Sequence, residues 1–165
     1  KLIHPRIISA HLSIVRCEID GNSLVMQQRQ GFCISRPSNS ESMREIQDSV
    51  AQLLGELEYP KRDCFAVRLA LEEALANAVK HGNGRDESKT FEVRCQANSE
   101  VVEIEVCDQG AGFALERVPS PTEGERLFNA NGRGLALMER FMDRIEFRSN
   151  GSSVLMQKRR SSVEA

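Results

Sequence analysis

The stretch "KTFEVRCQANSEVVEIEVCDQG", Lys89 to Gly110, restricts the fold more than any other part of the chain. Phe91, Val93 and Cys95 alternate with Glu92, Arg94 and Gln96. After the turn residues Ala97-Asn98-Ser99-Glu100, Val102, Ile104 and Val106 alternate in the same way with Glu103, Glu105 and Cys107. Successive side chains of a strand point to opposite faces, so both runs predict an antiparallel pair with one buried and one solvated face. A sheet of that kind needs a cover for its apolar side.

Helical periodicity supplies the cover. A long helix is predicted from near Ser40 to Ser42, with Glu45 three residues after Ser42 in the manner of a capping box and a stripe of Ile46, Val50, Leu53, Leu54 and Leu57. Tyr59-Pro60 stops it, and a second helix begins near Arg62 or Asp63, with Cys64, Val67, Leu71, Ala74, Leu75 and Ala78 on one face. A short third helix is predicted at "GLALMERFMDR". It is followed by two strands, "IEFRS" and "SSVLMQKR", joined around Asn150-Gly151. Upstream, "GFCIS" is a short strand ended by Pro37. Ser13 to Gln30 reads as two extended runs around Asp20-Gly21-Asn22, with Val15, Cys17 and Ile19 on one side. The order predicts an α+β fold, a two-layer sandwich with helices on one face of a mixed, mostly antiparallel sheet. The organisation expected is an amino-terminal extension over 1–30, containing the hairpin, one domain over 31–160 and a tail over 161–165.

A chain of 165 residues with 40% hydrophobic content suits one such domain. Its formal net charge of -2, with 28% charged residues, gives no global field for nucleic acid or an anionic membrane. A local basic patch is expected, for example near Lys158, Arg159 and Arg160. No apolar run approaches a membrane span and the first residues lack a signal-peptide core, so a cytoplasmic protein is expected. Cys17, Cys33, Cys64, Cys95 and Cys107 sit singly among apolar residues and are expected as buried free thiols in a reducing compartment. His4, His11 and His81 are too scattered for a metal cluster. A chain beginning at Lys1 is expected to be a fragment or a processed protein.

Three segments carry chemistry. On the second helix Glu73, Asn77 and Lys80 stack at i, i+4 and i+7 beside the apolar stripe, before the helix stops at "HGNG". Alone, such a row is ordinarily a solvated surface. The strand ending at Val106-Cys107 runs into "DQGAGF", where Asp108 offers a fixed acceptor and Gly110 and Gly112 allow close backbone approach. "NGRGLAL" then places Gly132 and Gly134 at a helix entrance, where unpaired amides and the helix dipole favour a phosphate. There is no Gly-x4-Gly-Lys-Ser/Thr loop, and the Gly-x-Gly does not follow a strand in a parallel βαβ unit.

In that order, "EALANAVKHGN", "DQGAGF" and "GRGLALM" resemble the N, G1 and G2 boxes of the GHKL superfamily of ATPases. The branch they resemble is that of the bacterial anti-sigma-factor serine/threonine kinases, over about Gly31 to Arg159. The resemblance implies a Bergerat-type fold, ATP or ADP as ligand and Mg²⁺ as cofactor. It implies Asn77 as the Mg²⁺ ligand, Glu73 as general base, Asp108 as acceptor of the adenine amino group, and Gly110 and Gly112 beside the base. Amides around Gly132, Arg133, Gly134 and Leu135 would hold phosphates, with Lys80 or Arg133 adding charge. His81 is expected to cap the helix end. Residues 114–131 are expected as a lid, and the first long helix, with Arg44, as a partner surface. The activity implied is transfer of the ATP γ-phosphate to a serine or threonine of a STAS-type anti-sigma-factor antagonist, with sequestration of a sigma factor, and homodimerisation by resemblance only. Two other readings stand beside it: a non-catalytic, ATP-binding partner switch, and the catalytic domain of a histidine kinase.

Overall fold

The alternating runs form β3 (Thr90–Ala97) and β4 (Val101–Asp108), paired antiparallel with Val93 opposite Val106 and Cys95 opposite Ile104. The computed structural model describes residues 14–20, 23–112 and 130–162, with side chains over 29–112 and 134–162. The remaining elements are β1 (Ile14–Asp20), β2 (Ser23–Pro37), α1 (Ser40–Glu56), α2 (Lys61–Asn77), α3 (Ala130–Phe141), β5 (Arg144–Arg148) and β6 (Ser153–Arg159). Six strands make one sheet in the order β1-β2-β3-β4-β6-β5. Every described pairing is antiparallel, which narrows the expectation of a mixed sheet. α3 carries the chain from β4 to the edge strand β5, and β6 returns to pair with β4.

The three described α-helices lie on one face of the sheet. Ile46, Val50 and Leu54 of α1, Val67, Leu71 and Leu75 of α2 and Met138 of α3 share a core with Phe91, Val93, Val102, Ile104, Val106 and Met156 of the sheet. Each fully buried side chain of this size contributes about 1.5–3 kcal/mol before chain entropy is counted. The other face carries ion pairs, Arg94 with Glu92 and Glu105, each at 3.3 Å, and Arg148 with Glu105 at 3.6 Å. Their half-exposed setting limits each to about 0–1 kcal/mol.

Several local expectations change. The cap of α1 is Asn39, whose Oδ1 accepts the Ser42 amide at 2.9 Å, and no Ser42–Glu45 box forms. Glu45 is taken instead by Arg36 Nε at 2.9 Å across to β2. "GFCIS" is the last part of one unbroken strand, Ser23–Pro37, because its first half pairs with β1 and its second with β3. α3 begins four residues earlier than the run "GLALMERFMDR" and ends at Phe141. It ends there because Asp143 belongs to the sheet edge. Its amide donates to Gln157 O at 2.9 Å, and its carboxylate accepts the Arg159 amide at 2.6 Å and Lys158 Nζ at 3.1 Å. Lys158 is thereby paired, and Arg160 donates to Leu57 O at 3.0 Å and Glu58 O at 2.9 Å, so two of the three cations in the basic patch are engaged within the fold.

Among the described thiols only Cys95 is fully buried, which pushes it up to about 12. Cys64 and Cys107 are half-buried, and Cys33 is exposed because its register opposite Arg94 puts it on the solvated face. Burial is the leading cause that raises all three of these thiols, so they remain protonated at neutral pH. The Cys17 side chain, the turn at residues 21–22, the expected lid over 114–129, His4, His11 and the last three tail residues lie outside the described residues. No described helix is long and apolar enough to cross a membrane.

Candidate active site

Parity along β4 decides where Asp108 points. It is in phase with Val102, Ile104 and Val106, so its carboxylate turns toward the helical layer rather than the ion-paired face. There it meets Gly82. A Cβ on Gly82 would collide with the Asp108 carboxylate, so the absent side chain is the space that the carboxylate occupies. Gly82 ends a single turn of π-helix, Ala78–Gly82, that follows α2. The wider turn is closed by the Asn83 amide donating to Ala78 O at 2.7 Å. It swings the chain from the helix onto the end of β4.

The glycine loop after β4 closes the same corner. Gly110 donates its amide to Asp108 Oδ1 at 2.8 Å, and a Cβ on Gly110 would strike the carbonyl of Gly82. Gly112, at φ 73°, passes against the Asn150 carbonyl in the β5–β6 turn. Burial raises the Asp108 carboxyl above its ordinary value, offset in part by the Gly110 amide and the charge of Lys89. A desolvated acceptor in a glycine-walled corner suits a flat donor-bearing ring, so the residues fit the adenine amino group.

Glu73 and Asn77 lie one turn apart on α2, both half-buried, and neither makes a side-chain hydrogen bond among the described residues. Glu73 faces α3. A Cβ on Gly134 would come within 2.5 Å of Glu73 Oε2, so the glycine lets the third motif close on the first. Because α3 starts at Ala130, Gly134 and Leu135 sit in its second turn, where amides are ordinarily committed to carbonyls four residues back. The amides free for an anion would be those of Ala130 to Arg133. Leu135 packs against the core, while the side chain of Arg133 lies outside the described residues. Lys80 and His81 are exposed. His81 does not cap the helix with its side chain, because Ala78 O and Val79 O accept the Asn83 and Arg85 amides.

One residue of the corner escaped the sequence reading. Asn83 is 1% exposed. Its Nδ2 donates to Thr90 O at 2.9 Å and Ser38 Oγ at 3.2 Å, and its Oδ1 accepts the Gln109 amide at 2.9 Å. The only signal in the sequence was the string "HGNG" itself, which reads equally well as a helix stop.

A two-layer α+β sandwich whose central strand and central helix meet at such a glycine-lined corner is a Bergerat-type ATPase fold. The chain belongs to the histidine kinase-like ATPase domain family, whose model matches residues 36–158. It is similar to an anti-sigma F factor of Clostridium novyi, 28% identical over 132 residues that cover 77% of this chain and 91% of the relative. It is also similar to the serine-protein kinase RsbW of Bacillus velezensis, 28% identical over 131 residues covering 74% and 81%. An anti-sigma F factor of Bacillus cytotoxicus is 26% identical over 131 residues, covering 77% and 87%.

Proposed function

We propose that this protein is a cytoplasmic, Mg-ATP-dependent serine/threonine protein kinase and anti-sigma factor, which phosphorylates a STAS-type antagonist and releases or holds a sigma factor accordingly. The observation that carries the reading is the convergence of three motifs on one end of the sandwich. Asp108 fills the space left by Gly82, and the Glu73 carboxylate abuts Gly134 one helical turn before Asn77. The relatives named as anti-sigma F factors and as a serine-protein kinase supply the reaction class and the partner class.

In this reading Asp108 accepts the adenine amino group, and Gly110 and Gly112 keep the wall thin enough for the base. Asn77 offers an amide oxygen to Mg²⁺, a hard cation that prefers oxygen. When bound, Mg²⁺ supplies charge neutralisation to the phosphates. Glu73 takes the proton of the serine or threonine hydroxyl as that oxygen bonds to the γ-phosphorus and the bond to the ADP oxygen breaks. Gly132 and Arg133 at the start of α3 line the phosphate side, Gly134 in the next turn lets α3 approach Glu73, and Lys80 adds charge from the π-turn that follows α2. The exposed face of α1, with Arg44, is the partner surface.

The test is transfer of labelled phosphate from ATP to a STAS-type antagonist. Glu73→Ala should lower the rate by at least about 100-fold, the usual contribution of a general base, while nucleotide affinity stays within about twofold. A mutant that transfers phosphate as fast as the native chain would overturn the assignment.

A further inference from the structure

The residue that follows Asp108 is held by a buried polar cluster rather than by the sheet alone. The last pairing of β3 with β4 sets Phe91 opposite Asp108, so Gln109 is already past the ladder. Its amide nevertheless donates to Asn83 Oδ1 at 2.9 Å, and its side-chain Oε1 accepts the Thr90 amide at 2.9 Å. Asn83 is in turn fixed by Thr90 O and by Ser38 Oγ, and Ser38 donates its own amide to Lys89 O at 3.0 Å. Three segments distant in sequence, the ends of β2, the π-turn and β4, are thereby held at one point beside Asp108.

We infer that Asn83 is a specificity-positioning residue: by holding the Gln109 amide it fixes the direction of the Asp108 carboxylate and so sets the preference for adenine over guanine. The physical reason is that the Asp108 backbone is anchored, its amide donating to Ser152 O at 2.9 Å, while its carboxylate takes its direction from the loop that follows it. On its own side it is restrained by the Gly110 amide, which moves with the same loop, and by the close wall at Gly82. Asn83 is the buried side-chain tie from that loop to the body of the fold, beside the Thr90 amide that Gln109 Oε1 accepts. A carboxylate aimed within a narrow range rewards the adenine amino group and penalises the guanine carbonyl oxygen, whereas a loosely held one tolerates both. This inference rests on the proposed role of Asp108.

The experiment measures the affinities of the full chain for ATP and for GTP by calorimetry, with melting temperature in parallel. Four variants are compared: Asp108→Asn, Asn83→Ala, Gln109→Ala and Asn98→Ala. Asn98 is the control, a buried asparagine at the far end of the sheet whose Oδ1 accepts the Glu100 and Val101 amides, each at 2.9 Å. Asn83→Ala and Asn98→Ala should both lower the melting temperature. Of these two, Asn83→Ala alone should lower the ATP-to-GTP affinity ratio, by roughly three- to tenfold. Gln109→Ala, an exposed change that folds even if Asn83→Ala does not, should lower it less, about twofold. A ratio unchanged in both Asn83→Ala and Gln109→Ala, while Asp108→Asn loses it, overturns the inference and leaves the adenine reading standing. A ratio unchanged in Asp108→Asn overturns that reading and this inference with it.

Discussion

Asn98 and Asn83 are both buried and both accept backbone amides, yet they finish opposite ends of the sandwich in different ways. At the end containing Asn98 several polar groups are matched within the fold. Tyr59 Oη donates to Asn98 O at 2.9 Å, and Arg160 binds the Leu57 and Glu58 carbonyls and lies 5.4 Å from the Tyr59 ring centre. Asp63, only 1% exposed, accepts the amide and hydroxyl of Ser161, each at 2.7 Å. At the end containing Asn83 the network stops one residue short of Asp108. Around Asp108 and Glu73 the chain places glycines rather than partner side chains among the described residues. Closure at one end and thinness at the other teach that, in the proposed reading, stability and ligand capacity are assigned to separate ends of one sheet.

The comparison can be broken by substitution at either end. The largest separation is expected from Gly82→Ala. Its methyl group is driven into the Asp108 carboxylate, so ATP affinity should fall by more than about tenfold while stability drops by about 1–3 kcal/mol. Retained affinity in a calorimetric titration would mean that the corner is not the base site. Next is Asp63→Ala, which removes two hydrogen bonds to a buried carboxylate and should cost about 2–3 kcal/mol in denaturant unfolding. ATP affinity measured well below the transition should stay within about twofold. A smaller and sharper effect concerns pH. Because burial holds the Asp108 carboxyl above its ordinary value, the folded state binds its proton more readily than the unfolded chain does. Its contribution to stability therefore grows as pH falls through the folded pKa, whereas ATP affinity, which needs the ionised acceptor, declines over the same window. Asp108→Asn should abolish that part of the pH dependence, and an unaltered profile would refute the role. Smallest is Arg94→Ala on the solvated face, expected to cost less than about 0.5 kcal/mol in the same unfolding assay.

Much of this architecture was legible in the sequence because it depends on local periodicity. The alternation from Phe91 to Cys107 fixed a strand pair, and the stripes of α1 and α2 fixed its cover. What was not legible depends on competition between residues far apart. The Ser42–Glu45 spacing satisfies the rule for a capping box, but Asn39 takes the Ser42 amide and Arg36 claims the glutamate. α3 starts earlier than the glycines suggest, since Gly134 is required by the neighbouring Glu73 carboxylate rather than by a helix start. Gly82 looks like helix punctuation, yet it is Gly84, at φ 66°, that takes the left-handed conformation. Gly82 is small for the sake of Asp108, a residue 26 positions away whose parity could be read but whose neighbour could not. Asn83 gave no signal because its partners come from the ends of β2, β3 and β4.

The most direct measurement is calorimetric titration of the native chain and of Asp108→Asn with ATP in the presence of Mg²⁺. Micromolar-range binding by the native chain, about 8 kcal/mol, lost in the variant, is the predicted result. Equal binding by both, or none by the native chain, would contradict the assignment of the glycine-walled corner as the nucleotide site.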